Sequence, residues 1–176
     1  MTDDRDSISN MLDEWASERP DLNPKPVGIH ARIIRLSSHL LRRTEIWLAP
    51  LDLSWEAFSL IVTLRRTGKP FERRPTDLLR ESLLSSGAIT NRIDRVERMG
   101  LIERKEGGDD RRSYTIRLTA AGKRLADKAI EAHFEGVRRG MSALTAAEQK
   151  QLSSLLQKLL LAMESQSPPR DPPGGQ

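Results

Sequence analysis

The spacing of apolar residues changes at Gly100, and this change constrains the fold more than any other feature of the chain. Before Gly100, three apolar residues recur at the period of one helix face: Ile89, Ile93 and Val96. After it, apolar and polar residues alternate in two short segments, 101–105 and 113–118, joined by a loop rich in Gly, Asp and Arg. We therefore predict a helix that ends at a glycine and leads into a β-hairpin.

A short helix and a tight turn are predicted directly before this helix. Pro75 opens the short helix with Thr76 as its predicted N-cap, and the turn lies at 85–87. An earlier helix is capped by Ser54 and runs through Arg66. A short helix, a turn, a second helix and a β-hairpin together form a winged helix-turn-helix. The predicted fold class is therefore mainly α with a small β-hairpin, a winged helix-turn-helix lobe between long N- and C-terminal helices.

The rest of the chain sets the predicted domain boundaries. We predict three parts: an N-terminal extension with an extra helix at 1–26, a domain at 27–164 and a disordered tail at 165–176. Within the domain, the winged lobe takes about 54–118, and long helices at about 28–49 and 119–164 flank it. Thr119 caps the first part of the second flank, and Thr145 with Glu148 forms a capping box for its last helix.

Positive charge is concentrated in the middle of the chain. The stretch 65–112 holds thirteen Lys and Arg against nine Asp and Glu, so it carries the whole net charge of +4. A basic centre between neutral arms is typical of a nucleic-acid surface on a scaffold. An ordinary solvated surface is the alternative interpretation of the same counts.

Composition excludes several classes of chemistry. The chain has no Cys, and therefore no disulfides, zinc ribbons, thiol nucleophiles or thiol redox switches. Of its three histidines, His30 and His39 lie nine residues apart on one predicted helix and His133 lies on another, without metal-ligand spacing, and no Gly-rich phosphate loop is present. We therefore expect neither an enzyme nor a cofactor or metal. The polar start and the lack of about 18 consecutive apolar residues predict no signal peptide or membrane span, and a cytoplasmic protein.

The helix before Gly100 has one side suited to DNA. At 100° per residue, the side opposite its apolar stripe carries Gly87 and Asn91. Small residues let the backbone approach base edges, Asn pairs with adenine, and Thr contacts a thymine methyl or a phosphate. A plain amphipathic helix with a solvated face is the alternative, and the turn before it and the hairpin after it favour DNA.

The hairpin loop extends the predicted DNA surface. Asp110 is spaced to brace Arg112, and an arginine at a wing tip suits the narrow minor groove of A·T-rich DNA. A solvated turn with a weak surface ion pair is the alternative. The predicted contacts with double-stranded DNA are Thr76, Ser86, Gly87, Thr90, Asn91, Arg95, Asp110, Arg111 and Arg112.

Four motifs of this region resemble the MarR (multiple antibiotic resistance regulator) family. They are SGAITNRIDRVE at 86–97, GLIER at 100–104, DRR at 110–112 and LT at 118–119. The resemblance covers about 28–163 and implies a homodimeric repressor whose two recognition helices enter successive major grooves. It also implies that the N- and C-terminal helices form the dimer. The apolar residues that fit this role are those of the leucine-rich last helix and Ile29, Ile33, Leu36 and Leu40.

Two alternatives remain at this point. The apolar faces of the flanking helices can also pack within one chain, although they are larger than a monomer needs. The fold can also serve as a protein-interaction module that has lost DNA binding, or as a regulator without a small-molecule ligand. The pairs Thr90-Asn91 and Arg111-Arg112 argue for a DNA reader.

The N-terminal extension resembles the urate-responsive branch of the same family. That resemblance implies a ligand site with a Trp, an Asp and two Arg, which match Trp15, Glu56, Arg92 and Arg104. Glu56 departs from the pattern, because its carboxylate lies one methylene farther out than that of Asp. The predicted effector is a small anionic or aromatic molecule, urate-like or phenolic.

The residues themselves suggest how such a site works. Arg92 lies beside the apolar stripe of its helix and therefore faces inward, and Arg104 is expected to pair with Glu56 in the empty state. An anionic, planar ligand would disrupt that ion pair by competing for the arginines, with Trp15 stacked on it. The alternative is a Trp15 that anchors the extra helix in the core and a structural ion pair between Arg92 and Glu56.

Overall fold

The computed structural model describes residues 5–81, 85–106 and 114–166 of the 176-residue chain. Its α-helices are α1 Ser7–Glu18, α2 Lys25–Leu48, α3 Trp55–Arg66, α4 Pro75–Glu81, α5 Ser86–Arg98, α6 Ala120–Gly140 and α7 Ala146–Gln166. Its strands are β1 Glu72–Arg73, β2 Ile102–Glu106 and β3 Tyr114–Leu118. The chain forms two compact units, an N-terminal unit Met1–Ile46 and a winged unit Trp47–Gln176.

In the N-terminal unit, α1 is fixed to α2 at its first turn. The Asp6 carboxylate caps α1 by accepting hydrogen bonds from the backbone N–H groups of Ile8 and Ser9. The same carboxylate accepts from Arg32 on α2, with Nε and Oδ2 2.7 Å apart. These bonds, led by that of Arg32, hold the pKa of Asp6 well below its usual value. One side chain therefore both starts α1 and orients it on α2.

The core of the winged unit is built around α3. The largest fully buried side chains of the described residues are Leu48, Ile61, Leu64, Ile93, Val96 and Ile116. The strands form an antiparallel sheet in the order β1-β3-β2, in which Ile102 pairs with Leu118 and Glu106 with Tyr114. At the start of α6, a Cβ on Gly122 would lie 1.9 Å from the carbonyl oxygen of Leu101, so only glycine allows this close approach.

Most of the local predictions are confirmed. The side chains of Ser54 and Thr119 cap α3 and α6, and Thr145 and Glu148 exchange the hydrogen bonds of a capping box. The helix and hairpin on either side of Gly100 are both present, and Gly100 has the left-handed φ of +71° that favours glycine after a helix. The predicted fold class, mainly helical with a small β-wing, is confirmed.

Three predictions about the elements need correction, and the structure adds one strand. Thr76 is not an N-cap, because α4 begins at Pro75 and the carbonyl of Arg74 accepts the first backbone bonds. α2 begins at Lys25, since proline is well tolerated in a first turn. β1 was not predicted, because two residues have no period to recognise. α7 runs through Gln166, two residues into the predicted tail, and 167–176 lie outside the described residues.

The described helices were also compared with the requirements of a membrane span. None of them by itself is long and apolar enough to cross a bilayer. Only the bent pair 25–51 and 55–66 passes the same test, and only when its two halves are counted together.

Candidate nucleic-acid interface

α5 has a buried apolar side and an exposed polar side, as its sequence predicts. The hydroxyl of Ser85 starts the helix by accepting a hydrogen bond from the backbone N–H of Ala88, at 3.3 Å. The buried residues of the helix are Ile89, Ile93 and Val96. The exposed residues include every predicted DNA contact on this helix: Ser86, Gly87, Thr90, Asn91 and Arg95. A row of short, uncharged side chains followed by an arginine thus faces away from the core.

Two residues near the start of α5 keep its exposed side free of bulky side chains. A Cβ built on Gly87 meets no atom within 4 Å, so the fold leaves this position open. Thr90 Oγ1 donates a hydrogen bond to the carbonyl oxygen of Ser86 at 3.1 Å. This internal bond uses the hydroxyl proton, so the hydroxyl of Thr90 can still accept a bond while its methyl group remains free for apolar contact. Both features allow another surface to approach the backbone closely.

α4 is held at its C-terminal end by a carboxylate. Glu81 forms ion pairs with Arg66 at the end of α3 and with Arg73 on β1, the latter with 3.8 Å between Oε1 and Nε. Thr76 lies on α4 and is exposed. The predicted contacts Asp110, Arg111 and Arg112 belong to the hairpin loop and lie outside the described residues.

Arg104 joins strand β2 to helix α5. From β2, its guanidinium forms ion pairs with Asp94 and Glu97 of α5. Its backbone N–H donates to Glu97 Oε1 at 3.2 Å, and its guanidinium carbon lies 5.6 Å from the centre of the Tyr114 ring on β3. The pKa of Arg104 is raised, chiefly by the hydrogen bond to Asp94. We call Arg104, Asp94, Glu97 and Tyr114 the Arg104 brace.

The brace corrects one prediction and adds residues that the sequence did not reveal. Arg104 pairs with Asp94 and Glu97 rather than with Glu56, because β2 runs alongside α5 and brings those two carboxylates within reach of its guanidinium. At 100° per residue Asp94 falls on the same side of α5 as Asn91, but its side chain is half-buried against this arginine. The guanidinium thereby compensates part of the negative charge that would otherwise repel a phosphate backbone.

Glu56 and Arg92 also lie in the winged unit. The pKa of Glu56 is lowered, first by the hydrogen bond from its own backbone N–H, then by that from Ser54, and further by the charges of Arg92 and Arg95. Arg92 is half-buried beside the apolar stripe of α5, where the helix geometry predicts it. Among the described residues, Arg92 forms no ion pair, so the alternative of a structural pair with Glu56 is wrong.

Trp15 belongs to the N-terminal unit. Its side chain lies on α1 and is 51% exposed. The alternative that Trp15 anchors α1 in the core is therefore wrong, and the buried residue of that helix is Ile8. A tryptophan left half in solvent has an open aromatic face.

Comparisons with known proteins agree with this arrangement. The family model described as "MarR family" matches residues 53–114. The chain is 31% identical over 149 residues to the HTH-type transcriptional regulator PecS of Dickeya dadantii (strain 3937), covering 85% of this chain and 90% of PecS.

Two solved structures share the fold. The first is a cysteine-to-serine mutant of MarR from E. coli complexed with operator DNA, with a TM-score of 0.71 and 23% identity over 78% of this chain and 96% of that one. The second is the organohalide-sensing RdhR transcriptional regulator in its 2,4-dichlorophenol-bound form, with a TM-score of 0.70 and 24% identity over 78% of this chain and 80% of that one. As its motifs predict, the chain belongs to the MarR family of DNA-binding transcriptional regulators, and it is not an enzyme.

Proposed function

We propose that this protein is a repressor that binds a palindromic operator as a homodimer and is released from it by a small anionic or aromatic effector. The observation that carries the proposal is the exposed side of α5, where Gly87, Thr90 and Asn91 form a narrow polar surface. A helix of this shape enters a major groove with its N-terminal residues toward the bases. MarR of E. coli, which has this fold, is known in complex with operator DNA.

The homodimer is supported by apolar surface that the chain leaves uncovered. On α7 no residue is buried, and Leu155 and Leu161 are each 59% exposed. On α2, Ile29 is 61% exposed. Soluble monomers rarely expose contiguous apolar surface of this extent. A two-fold axis through such helices would present two copies of α5 to one face of DNA, about one helical turn apart.

The effector is proposed to act at Glu56 and Arg92. Glu56 stays ionised because its pKa is lowered, and the half-buried guanidinium of Arg92 is without an ion pair among the described residues. A planar anion with two adjacent acceptor atoms, such as urate or salicylate, would bind Arg92 through two parallel hydrogen bonds and repel Glu56. Because Arg92 lies on α5, such binding would shift the helix that reads the operator. The part predicted for Trp15 in this site stays a prediction.

The test compares specific with non-specific DNA. Fluorescence anisotropy of the wild-type protein should show at least about 1,000-fold preference for its own promoter region over random DNA at physiological salt. Arg95→Ala should weaken binding to DNA and lower the salt dependence, because one phosphate or base contact is lost. Arg124→Ala on α6, an equal loss of charge at an exposed position, is the matched control. Equal affinity for promoter and random DNA would refute the proposal.

The effector is tested with the same promoter DNA. Urate and salicylate should release the wild-type protein from the promoter, and Arg92→Ala should abolish this release. Equal release of wild type and Arg92→Ala would remove Arg92 from the effector site while leaving the repressor proposal intact.

A further inference from the structure

Helix α4, which directly precedes the turn into α5, buries few apolar side chains. Among its seven residues, Leu78 is the only buried one, and Leu79 packs against the core while partly exposed. A short element with so few buried apolar contacts gains little stability from packing and needs further restraints to keep one orientation. The structure provides such a restraint at the last residue of the helix, Glu81.

Glu81 joins α4 to two other elements of the winged unit. Its carboxylate forms an ion pair with Arg66, the last residue of α3, and a second one with Arg73 on β1, with 3.8 Å between Oε1 and Nε. The side chain of Glu81 is 36% exposed, so solvent screens these pairs only in part. Leu78 and Glu81 are three residues apart and therefore lie on the same side of α4. We call Glu81, Arg66 and Arg73 the Glu81 clamp.

Both arginines of the clamp belong to elements that are fixed in the core. Arg66 follows Leu64 by two residues on α3, and Leu64 is fully buried. Arg73 pairs across the sheet with Ile116 of β3, which is also fully buried. The clamp therefore connects a helix with few buried contacts to two well-packed parts of the winged unit.

Glu81 also lies close to the helix that carries the predicted base contacts. Ser85, whose hydroxyl caps α5, follows it by four residues in the sequence. Helix α4 also packs against α5. A rotation of α4 would therefore move the start of α5, where Gly87 and Asn91 are exposed.

Contacts with bases and contacts with phosphates respond differently to such a movement. A hydrogen bond to a base edge needs a correct distance and angle. Attraction to phosphates depends mainly on charge and does not depend on the base sequence. A change in the orientation of α5 should therefore lower the affinity for the operator and leave the affinity for random DNA nearly unchanged.

We propose that Glu81 is a positioning residue for operator recognition, which holds α4 and the start of α5 in the orientation that base contacts require. The proposal rests on the proposed repressor function and adds to it a residue that acts without touching DNA. The carboxylate repels phosphates, so by charge alone its removal would strengthen binding to any DNA. A positioning role has the opposite effect on the operator, so the two roles can be separated.

The test measures the ratio of the affinity for the promoter region to that for random DNA of the same length, by fluorescence anisotropy. Glu81→Gln should lower this ratio by about fivefold, while the affinity for random DNA stays the same or rises. Glu131→Gln is the matched control, because it removes the same charge at an exposed position of α6. The control should keep the wild-type ratio.

A second variant breaks the same ion pair from its other end. Arg66→Gln should also lower the ratio, and the double variant with Glu81→Gln should lose no more than Glu81→Gln alone, because the two side chains act as one unit. The side chain of Arg66 is 63% exposed, so its replacement leaves no cavity. Circular dichroism should show these variants folded with unfolding temperatures near that of wild type, because exposed ion pairs contribute little to stability.

Three results would overturn the proposal and leave the repressor function intact. They are an unchanged ratio in Glu81→Gln, an equal rise of both affinities in that variant, and additive losses in the double variant. If Glu81→Gln does not fold, Arg66→Gln decides in its place, and an unchanged ratio there overturns the proposal. A wild-type protein without preference for its promoter region would overturn both the repressor function and the role of Glu81.

Discussion

α5 and α7 are both amphipathic helices of the winged unit, yet they leave opposite surfaces exposed. α5 buries its apolar side completely in the core of its own unit and exposes small polar residues. α7 buries no residue and exposes a row of leucines. Both helices are amphipathic, so amphipathicity alone does not indicate the kind of partner. A helix whose apolar side is buried within its own chain is left with a polar surface, whereas a helix whose apolar side stays exposed has a surface suited to an apolar partner.

The largest expected effect is on α7. Leu156→Glu should convert the proposed dimer to a monomer and lower operator affinity more than roughly 100-fold, because a monomer brings only one copy of α5 to the operator. Sedimentation velocity and fluorescence anisotropy measure the two effects. Gln157→Glu adds the same charge at the neighbouring exposed position and serves as the control. A Leu156→Glu protein that remains dimeric would break the comparison, because the exposed leucines would then have no partner in a second copy.

The next effect concerns the polar side of α5. Asn91→Ala should lower operator affinity by about 1–3 kcal/mol, since an asparagine that reads adenine makes two hydrogen bonds to one base. Affinity for random DNA should change little, because no charge is removed. Competition binding with both DNAs measures the difference. An equal loss on both DNAs would place Asn91 on the phosphate backbone and remove it from base reading.

Disruption of the Arg104 brace should have a smaller effect on operator affinity. Arg104→Gln leaves Asp94 and Glu97 uncompensated beside the DNA surface, and operator affinity should fall roughly tenfold at low salt. The triple variant with Asp94→Asn and Glu97→Gln should recover most of this loss, because the repelling charges are gone. Recovery of operator affinity would show that Arg104 acts by compensating negative charge rather than by positioning the wing. If the triple variant stays weak while circular dichroism shows a folded protein, the brace acts by holding the wing at a fixed angle to α5.

The two helices also show how far the sequence determines the site. The exposure of the predicted contact residues of α5 follows from helical period alone and is confirmed, as is the glycine that follows the helix at Gly100. Their contact with DNA stays a prediction. The partners of Arg104 do not follow from any spacing. They depend on β2 turning back beside α5 after Gly100, and the helical period of α5 does not show which of its carboxylates this turn brings within reach of Arg104.

The missed strand and a cavity in the N-terminal unit have the same cause. β1 has only two residues and exists because β3 offers it an edge, where Glu72 pairs with Arg117. The cavity between the end of α1 and the start of α2, lined by Trp15, Leu22 and Val27, arises from a turn whose prolines predict only a break between helices. In both places the structure is determined by the parts of the chain that pack against a segment, and the sequence of the segment alone does not reveal it.

The smallest expected effect concerns a histidine that lies on neither of these two helices. Neither α5 nor α7 contains a histidine, so their surfaces have no group that normally titrates between pH 5 and 7. His133 on α6 is such a group. The centre of its ring lies 5.0 Å from the centre of the Phe58 ring and 6.1 Å from the centre of the Trp47 ring. Its buried Nδ1 is without a hydrogen-bond partner among the described residues, and burial lowers its pKa below the usual 6.5.

Because the folded state resists protonation of His133, the free energy of unfolding should be highest above about pH 6.5 and decrease as the pH falls through the lowered pKa. Thermal unfolding at pH 7.5 and pH 5.0 measures this change, and His133→Phe should reduce it by removing the titrating ring. His30→Gln, at an exposed position of α2, should leave it as in wild type. A pH dependence that is the same in His133→Phe as in wild type would show that His133 is not the group responsible.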